Sequence, residues 1–425
     1  MKEANNKITL ALIGAGGRGT QVILCLQQCS ENVEVKYVCD VDGERGGNAI
    51  KELSKQQGFS PLKVSDMRTV YDDKDVDAVV ITTPEHWHAL ATIWACEAQK
   101  DVFVEKNVCL SLEEGTKMAE AAGRYKRVIQ CGTQNRSAAY AFSARDYISS
   151  GKLGAIVTVK AYCMLPGTRK WTLKPDSPVP DGLDWDKWLG PAENVPYNVS
   201  RHKAWYDWWA YSGGAAMSGD ASHVIDLARM VLGDPGLPQS VYCAGGRVIF
   251  HDGREIPDNQ TVVYDMGSYP LTLEASQYGD YLKKTPQEVR YNEERFPEWR
   301  TNATRIEIYG TKGVMFLGRH GGGWQVFGND WELLDEGKGF FPDEAHHKNF
   351  IECIRSRKET NAPVTEGVLS AHMINLANLS YRSGKKYLMV NQRDNSIEEN
   401  NEAAALDNRS SREGYRLWQH AVFFE

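Results

Sequence analysis

The sequence predicts an α/β fold: a first domain with a doubly wound parallel sheet, followed by an α+β domain with an open, largely antiparallel sheet. The first domain is predicted by an alternation of short apolar strands with amphipathic helices and by a glycine-rich turn after the first strand. The second is predicted by longer alternating strands beyond residue 150, separated by turns. We therefore place domains at 1–130 and 131–390 and a polar arm at 391–425.

Length and composition fit this division. The chain has 425 residues, of which 42% are hydrophobic and 25% charged. Its net charge is −7, and the sequence contains no cluster of basic residues. Binding to nucleic acid or to anionic lipid is therefore not expected. No apolar run reaches the roughly 20 residues of a membrane span. The nine cysteines form no C-x-x-C pair, a pattern typical of buried free thiols.

The amino terminus lacks the charged and apolar regions of a secretory signal. We therefore expect a cytoplasmic protein, or a periplasmic one if an export leader has been removed.

The elements of the first domain alternate in order. The strand at 8–13 runs into the glycine-rich turn and then into a helical pattern. Further strands are predicted at 33–39, 78–82 and 102–104. Strands that alternate with helices in this way form a parallel, doubly wound sheet of the Rossmann type.

The glycine-rich turn has the pattern Gly-x-Gly-x-x-Gly at Gly14, Gly16 and Gly19. Between a strand and a helix, such glycines let the backbone approach a pyrophosphate at the helix amino terminus; the alternative is a purely structural turn. Asp40, 21 residues after Gly19, would accept hydrogen bonds from the adenine ribose and repel a 2′-phosphate. NAD is therefore favoured over NADP, although Arg45 leaves NADP open.

Two more motifs follow predicted strands. Thr83-Pro84-Glu85-His86-Trp87-His88 comes after 78–82, and Glu105-Lys106-Asn107 comes after 102–104. A lysine just past the carboxyl end of a strand faces the ligand crevice of an open parallel sheet. The pattern Thr-Pro-x-x-x-His followed by Glu-Lys-Pro resembles the Gfo/Idh/MocA oxidoreductase family, with Asn107 in place of the usual proline. The resemblance continues through 132–136, 183–191, Gly213-Gly214 and 347–357.

The resemblance implies NAD as cofactor and a homodimer or homotetramer formed through the outer face of the second sheet. In the family that this sequence resembles, the residue at the position of His88 helps to shape the cofactor loop. The cofactor-binding residues expected from the turn and the resemblance together are Gly14, Gly16, Arg18, Gly19, Asp40, Thr83, Pro84, His88, Glu105 and Gln134.

By the same likeness Lys106 corresponds to the active-site lysine, which hydrogen-bonds the reacting hydroxyl. Replacing the proline after it is expected to alter this turn, because proline restricts both itself and the residue before it.

His223 is the candidate acid-base residue, because an imidazole can take a hydroxyl proton near neutral pH. It precedes a helix predicted to end near Gly233. Asp220 and Asp226 lie three residues to either side, and either could orient its ring. In the family an aspartate usually precedes the histidine by four residues. Either Asp220 takes that catalytic role here, or it caps the helix and His223 works with Lys106 alone.

Six of the twelve tryptophans fall between 171 and 209, among charged side chains. Flat aromatic faces beside polar groups are typical of a sugar site, whereas the alternative for any one tryptophan is a core position. The residues predicted to contact a carbohydrate substrate are Trp171, Arg201, Trp205 and Tyr211.

These observations predict an NAD-dependent oxidoreductase acting on a secondary hydroxyl of a sugar, glycoside or polyol. Two alternatives stay open: redox-neutral cleavage of a glycoside by way of bound NAD, and a non-catalytic dinucleotide-binding protein. No metal site is expected, because the histidines lack ligand spacing. We expect the arm, with its polar stretch at 391–411 and amphipathic patch at 415–424, to wrap its own or a neighbouring subunit.

Overall fold

The computed structural model describes residues 7–167, 170–291, 295–398, 400–409 and 411–417. Within these ranges the chain forms a six-stranded and a ten-stranded sheet. The strands of the first sheet are β1 (Ile8–Ile13), β2 (Val33–Cys39), β3 (Leu62–Val64), β4 (Ala78–Ile81), β5 (Asp101–Val104) and β6 (Ile129–Cys131). Its helices are α1 (Gly17–Gln28), α2 (Gly47–Gln57), α3 (Met67–Asp72), α4 (His88–Glu97) and α5 (Leu112–Tyr125).

The first sheet has the order β3-β2-β1-β4-β5-β6, and all its strand pairs are parallel. This confirms the predicted doubly wound sheet. All six residues of β1 are buried at its centre, where Ile13 pairs with Ile81. Gly14 and Thr82 therefore emerge side by side at the carboxyl edge, where ligands of such sheets bind. The short strands β3 and β6, of three residues each, carry too little apolar pattern to be predicted.

The second sheet is formed by later parts of the chain. Its strands are β7 (Ile156–Met164), β8 (Ser240–Gly246), β9 (Asn259–Asp265), β10 (Pro270–Ser276), β11 (Arg305–Gly310), β12 (Gly313–Gly318), β13 (Trp324–Phe327), β14 (Leu333–Gly337), β15 (Leu388–Val390) and β16 (Ile397–Glu398). The helices of this part are α6 (Ala139–Ser149), α7 (Trp185–Leu189), α8 (Val199–Lys203), α9 (Ser222–Val231), α10 (Gln287–Arg290), α11 (Asp343–Ser356), α12 (Val364–Arg382) and α13 (Asn401–Asp407). The strand order is β14-β13-β12-β11-β7-β10-β9-β8-β15-β16.

This sheet is largely antiparallel, as predicted, with one parallel pair between β7 and β10. The sequence from 239 to 249 predicts one continuous strand, but β8 ends at Gly246. The reason is that Val248 and Phe250 donate their backbone N–H groups to the Asp258 carboxylate instead of to a neighbouring strand. Side-chain acceptors of this kind compete with sheet hydrogen bonds.

The strands of the second sheet alternate between a helix-covered and an uncovered face. Val159 on β7 and Val262 on β9 are buried in a core that includes α6, α9 and α12. Val263, next to Val262, is exposed on the opposite face, as is Tyr242, which pairs with it from β8. Such alternation is typical of an antiparallel sheet with one packed face.

Two carboxyl-terminal helices return to the first sheet. Phe350 and Ile351 on α11 lie in the core beneath α1. In α12, Val368 and Ala371 belong to the core of the first sheet, whereas Met373 and Ile374 belong to that of the second. One helix thus joins both cores and fixes one sheet beside the other.

The described part of the carboxyl-terminal arm packs on its own chain. The β16 strand pairs with β15, and Asp407 of α13 accepts a hydrogen bond from the backbone N–H of Leu112 at 2.9 Å. Tyr415 stacks on Trp94 with ring centroids 6.3 Å apart. Of the amphipathic patch predicted at 415–424, positions 418–424 lie outside the described residues. Among the described helices, none is both long enough and apolar enough to cross a membrane.

Candidate active site

The glycine turn after β1 forms a cradle that no larger residue could form. Gly14 has φ +90°, and a Cβ there would lie 2.7 Å from the backbone nitrogen of Thr83. A Cβ on Gly19 would collide with the Gly14 carbonyl oxygen. Gly16 precedes α1, and no side chain caps the amino terminus of that helix. The first N–H groups of α1 are therefore available to a pyrophosphate, so the turn fits the dinucleotide that the sequence predicts.

Asp40, at the carboxyl end of β2, is fixed by the backbone of the same turn. Its Oδ2 accepts a hydrogen bond from the Ala15 N–H at 2.7 Å, and its Oδ1 accepts one from the Asp42 N–H at 2.9 Å. Burial raises the pKa of Asp40, and these two N–H donors offset part of that effect. The carboxylate is thus held in place beside the turn, as a ribose acceptor requires.

A crevice of about 240 Å³ runs along the carboxyl edge of the first sheet. Its lining includes the predicted cofactor residues Gly14, Gly16, Arg18, Gly19, Asp40, Thr83 and Pro84. Further lining residues come from elsewhere in the chain, namely Trp87, Trp94, Lys187, Trp188, His202, Trp205 and Tyr415. His88, Glu105 and Gln134 are buried and are not among the described residues that line it.

His88 connects two of the loops that follow strands. Its Nε2 lies 2.8 Å from the Thr83 carbonyl oxygen and its Nδ1 lies 2.8 Å from that of Asn107. Burial lowers the pKa of His88, and the two carbonyl acceptors offset part of that effect. The peptide bond between Lys106 and Asn107 is cis. His88 therefore positions the loop after β4 against the loop that carries Lys106.

Arg18 is paired with two protein carboxylates. Its Nε lies 2.7 Å from Glu105 Oε1 and its Nη2 lies 3.5 Å from Asp343 Oδ1. Burial would lower the pKa of Arg18, but the charges of Glu105 and Asp343 outweigh it and raise the value. Glu105 thus contributes to the crevice indirectly, by holding Arg18 at its edge.

Lys106 extends from the end of β5 to the second domain. Its Nζ donates a hydrogen bond to the Gly219 carbonyl oxygen at 2.6 Å and lies 3.3 Å from that of Ser218. Both residues belong to a π-helical segment, Ala215–Ala221, that leads directly into α9. The side chain expected to touch the reacting hydroxyl therefore meets the segment that holds Asp220 and precedes His223.

His223 is the second residue of α9 and is 5% exposed. Its Nδ1 has no hydrogen-bond partner among the described residues. Burial lowers the pKa of His223 well below its ordinary value, and the positive charges of Arg319 and Lys106 lower it further. The ring is therefore a neutral imidazole with an unused nitrogen, as a proton acceptor must be.

Asp220 lies within the π-helical segment, beside two cations. Its Oδ2 is 2.9 Å from Lys284 Nζ, and its Oδ1 is 3.9 Å from Arg319 Nη2. Burial would raise the pKa of Asp220, but the charges of Arg319 and Lys284 outweigh it and hold the pKa below its ordinary value. The proposed helix-cap role is wrong, because the residue before α9 is Ala221 and α9 has no side-chain cap.

Two sequence models of one family match this chain. The model described as "Oxidoreductase family, NAD-binding Rossmann fold" matches residues 8–133, and the one described as "Oxidoreductase family, C-terminal alpha/beta domain" matches residues 148–246. Together they cover more than half of the chain. The chain belongs to the Gfo/Idh/MocA family. It is an NAD-binding oxidoreductase by family, which confirms the resemblance and the cofactor predicted from the sequence.

The relatives named next are each less than 30% identical to this chain over the matched residues. A levoglucosan dehydrogenase of Pseudarthrobacter phenanthrenivorans is 29% identical over 185 residues, which are 43% of this chain and 40% of that protein. The NAD-dependent scyllo-inositol 2-dehydrogenase of Bacillus subtilis is 24% identical over 359 residues, 82% of this chain and 87% of that one. A solved levoglucosan dehydrogenase in complex with NADH and levoglucosan has a TM-score of 0.63 at 18% identity, covering 91% of this chain and all of that one. That likeness shows the fold.

Asp226, considered above as a partner for His223, is occupied elsewhere in this family member. Its two carboxylate oxygens each lie 2.9 Å from Arg136 Nε, and Oδ1 also accepts a hydrogen bond from Ser370 Oγ at 2.7 Å. The idea that Asp226 orients His223 is therefore wrong. Arg136, 90 residues earlier, belongs to the 132–136 motif that carried the family resemblance.

Glu85 is a buried carboxylate near Lys106 that the sequence analysis gave no role. Its Oε2 accepts a hydrogen bond from the Gly213 N–H at 3.0 Å. Burial raises the pKa of Glu85, and the charge of Lys106 offsets part of the increase. Its position within the Thr-Pro-x-x-x-His motif could have indicated a role for Glu85. The sequence alone does not show its contact with Gly213, which lies far away along the chain.

Three of the four predicted substrate contacts lie together: Trp171 and Arg201 both pack on Trp208, and Arg201 contacts Tyr211. Trp205 lines the cofactor crevice, whereas Arg201 lines a second cavity and lies 4.1 Å over the Trp208 ring. Trp171 donates its indole N–H to Asp207 Oδ2 at 2.8 Å. Tyr211 is buried with its ring 4.9 Å from that of Trp188.

Several tryptophans of the 171–209 stretch, including Trp185, Trp188 and Trp208, form a core cluster. For these three tryptophans, the alternative of a position in the hydrophobic core therefore applies. The nine cysteines are free thiols, as expected, and seven of them are buried. Among the described residues no group of three or more His, Cys, Asp and Glu could hold a metal ion.

Proposed function

We propose that this family member is an NAD-dependent dehydrogenase that oxidises a secondary hydroxyl of a sugar, glycoside or polyol. The observation that carries the proposal is the contact of Lys106 Nζ with the Gly219 carbonyl oxygen. It brings a lysine from the edge of the cofactor domain to the segment that holds Asp220 and leads to His223. A general acid-base pair beside a dinucleotide crevice is the arrangement that hydride transfer from an alcohol requires.

Each side chain then has a distinct task in the reaction. When bound, NAD supplies the acceptor for the hydride that leaves the alcohol carbon. His223, neutral and with an unpartnered Nδ1, takes the hydroxyl proton, so that the product is a ketone. Lys106 donates a hydrogen bond to the hydroxyl oxygen as negative charge develops on it. Asp220, held ionised by its cations, stabilises positive charge that forms at His223.

Asp40 supports NAD over NADP as the cofactor. Its carboxylate is fixed at the crevice by two backbone donors and would face a 2′-phosphate with negative charge. Arg45, which kept NADP open, lies 3.4 Å from Asp42 through its Nε and so is paired with a carboxylate.

A carbohydrate substrate is supported by the names of relatives that act on levoglucosan and on scyllo-inositol. We further propose a homo-oligomer assembled through the uncovered face of the second sheet, where Tyr242 and Val263 are exposed. Light scattering of the purified protein tests the oligomeric state.

The experiment that tests the function is a substrate survey. Purified protein and NAD are incubated with a panel of sugars, glycosides and polyols, and NADH absorbance is followed. Turnover with at least one secondary alcohol is expected. Release of a leaving group without net NADH would favour redox-neutral glycoside cleavage instead, and NAD binding without any turnover would favour a non-catalytic protein.

A further inference from the structure

A group of cationic side chains lies near Asp220 on the side of the second sheet. Lys284 follows β10, Arg290 ends α10 and Arg319 follows β12; we call these three residues the basic cluster. Lys284 and Arg319 approach opposite oxygens of Asp220, at 2.9 and 3.9 Å. Among the described residues, Asp220 is the one carboxylate in an ion pair with the cluster. Asp343, which also attracts Arg319, is paired with Arg18.

The two arginines of the cluster are held in place by Phe341. The guanidinium carbon of Arg290 lies 4.2 Å from the centroid of this ring, and that of Arg319 lies 5.1 Å from it. The His320 ring stacks on Phe341 as well, at 6.1 Å. A guanidinium packed against an aromatic ring keeps the N–H groups at its edge free for acceptors.

A run of three glycines fixes Arg319 beside Arg290. Gly321, Gly322 and Gly323 all have positive φ angles, between +67° and +79°. A Cβ on Gly321 would lie 2.8 Å from the Arg290 carbonyl oxygen, and the space around the other two is also filled. The chain can approach Arg290 this closely because these positions have no side chain.

Several donors on the two arginines of the cluster are left without an acceptor within the described part of the chain. Arg319 has a side chain only 4% exposed, yet its Nε and Nη1 have no acceptor among the described residues, and neither has Arg290 Nε. Burial lowers the pKa of Arg319, and the attraction of Asp220 offsets only part of that effect. A guanidinium remains charged in proteins, so buried donors of this kind require an acceptor from elsewhere.

We infer that the substrate carries an anionic group, a carboxylate or a phosphate, which binds to the basic cluster while its hydroxyl lies at Lys106 and His223. This inference rests on the proposed dehydrogenase function and specifies its substrate class. Carboxylates and phosphates match the fork of a guanidinium. Two cations face Asp220 and Arg290 adds a third positive charge beside Arg319, so positive charge is in excess among the described residues of the cluster. A neutral sugar would leave the buried donors of Arg319 unpaired, which discriminates against it.

The first arm of the test compares substrates in matched pairs. Initial rates with NAD are measured for D-glucuronate and for glucose 6-phosphate, each against glucose. We expect kcat/KM for at least one of the anionic sugars to exceed that of glucose by about 10-fold or more, the effect of one charge-assisted hydrogen bond. The preference should shrink as salt is added, because salt screens charge.

The second arm measures binding and does not depend on turnover. The NADH-loaded protein is titrated with D-glucuronate and with inorganic phosphate, and the fluorescence of NADH is followed. Lys284→Gln should raise the Kd of the anion about 10-fold. Its side chain is 46% exposed, so this variant is expected to fold. Lys283→Gln is the matched control, because Lys283 is a neighbouring exposed lysine without an ion pair among the described residues.

The outcomes separate the two proposals. Turnover of glucose with kcat/KM equal to or above that of both anionic sugars would overturn the inference and leave the dehydrogenase function intact. Absence of anion binding to the wild-type protein, or equal binding by Lys284→Gln and wild type, would also overturn it. Anion binding that Lys284→Gln weakens, with no turnover of any alcohol, would support the anion site and contradict the dehydrogenase.

Discussion

The cofactor crevice and the proposed reaction centre at Lys106, Asp220 and His223 are built in different ways. In the crevice, the groups that would hold a dinucleotide are mostly backbone groups of one short turn, from Gly14 to Gly19, assisted by Asp40. In the reaction centre, they are side chains from separate parts of the chain, with Lys106 meeting a carbonyl 113 residues away. A site that binds its ligand through the backbone of one turn can be recognised in the sequence as a contiguous motif. An acid-base site assembled from distant side chains appears in the sequence only as isolated residues.

The two regions also differ in charge. In the crevice Arg18 is balanced by Glu105 and Asp343. In the reaction centre Asp220 faces Lys284 and Arg319. The excess of positive charge there favours a neutral His223 and a developing negative charge on a substrate oxygen. Chemistry and cofactor binding should therefore respond to different substitutions.

The largest difference is expected for His223→Ala. Removing the proton acceptor should lower turnover by about 10²- to 10⁴-fold, the usual contribution of a general base, while the Kd for NADH stays unchanged. Steady-state rates on the best alcohol of the survey, together with an NADH titration, check this. A fully active variant would show that another group, such as Tyr211, accepts the proton.

Gly19→Ala should have the opposite pattern, with the loss in cofactor binding. Its Cβ would collide with the backbone of Gly14 and the hydroxyl of Thr82. Overpacking of this kind costs about 1–3 kcal/mol, so the Kd for NADH should rise about 5- to 150-fold. Gly123→Ala is the matched control, because a Cβ there meets open space, the position is helical in α5 and it does not line the crevice. Equal Kd values for the two variants would contradict the role of the turn.

Asp40→Ala should weaken NAD binding by about 10-fold, because a charged acceptor is lost. It should also reduce the preference for NAD over NADP. Asp40→Asn separates these effects, since it keeps an acceptor and removes the charge that repels a 2′-phosphate. Titrations with NADH and NADPH measure both. Unchanged discrimination in Asp40→Asn would argue that the charge of Asp40 does not select the cofactor.

The smallest effect concerns pH. Because burial and nearby cations lower the pKa of His223, the ring stays unprotonated as the pH falls to 6.5 and beyond. Between pH 8 and 6.5, kcat/KM should therefore change by less than about twofold, and the acid limb should lie well below pH 6.5. A limb at or above 6.5 would mean that the proton acceptor is a different group or a more exposed one.

The sequence was sufficient to predict features that depend on residues contiguous in the chain. The glycine turn, Asp40 and the four longer strands of the first sheet were predicted, because apolar periodicity and glycine spacing are local. The sequence was insufficient where a side chain contacts residues that are distant along the chain. Asp226 was considered for His223, but Arg136 occupies it. The basic cluster was not predicted either, because nothing in the chain shows that Lys284 and Arg319 meet Asp220.

The measurement that tests this account most directly is an NADH titration of Lys106→Met beside its rate of turnover. Lys106 lies at the edge of the cofactor domain but contacts Gly219, so its loss should affect only the chemistry. The account predicts a Kd for NADH within about twofold of the wild-type value, as for independent sites, with turnover lowered about 100-fold or more. Loss of NADH binding in parallel with turnover, or undiminished turnover, would contradict it.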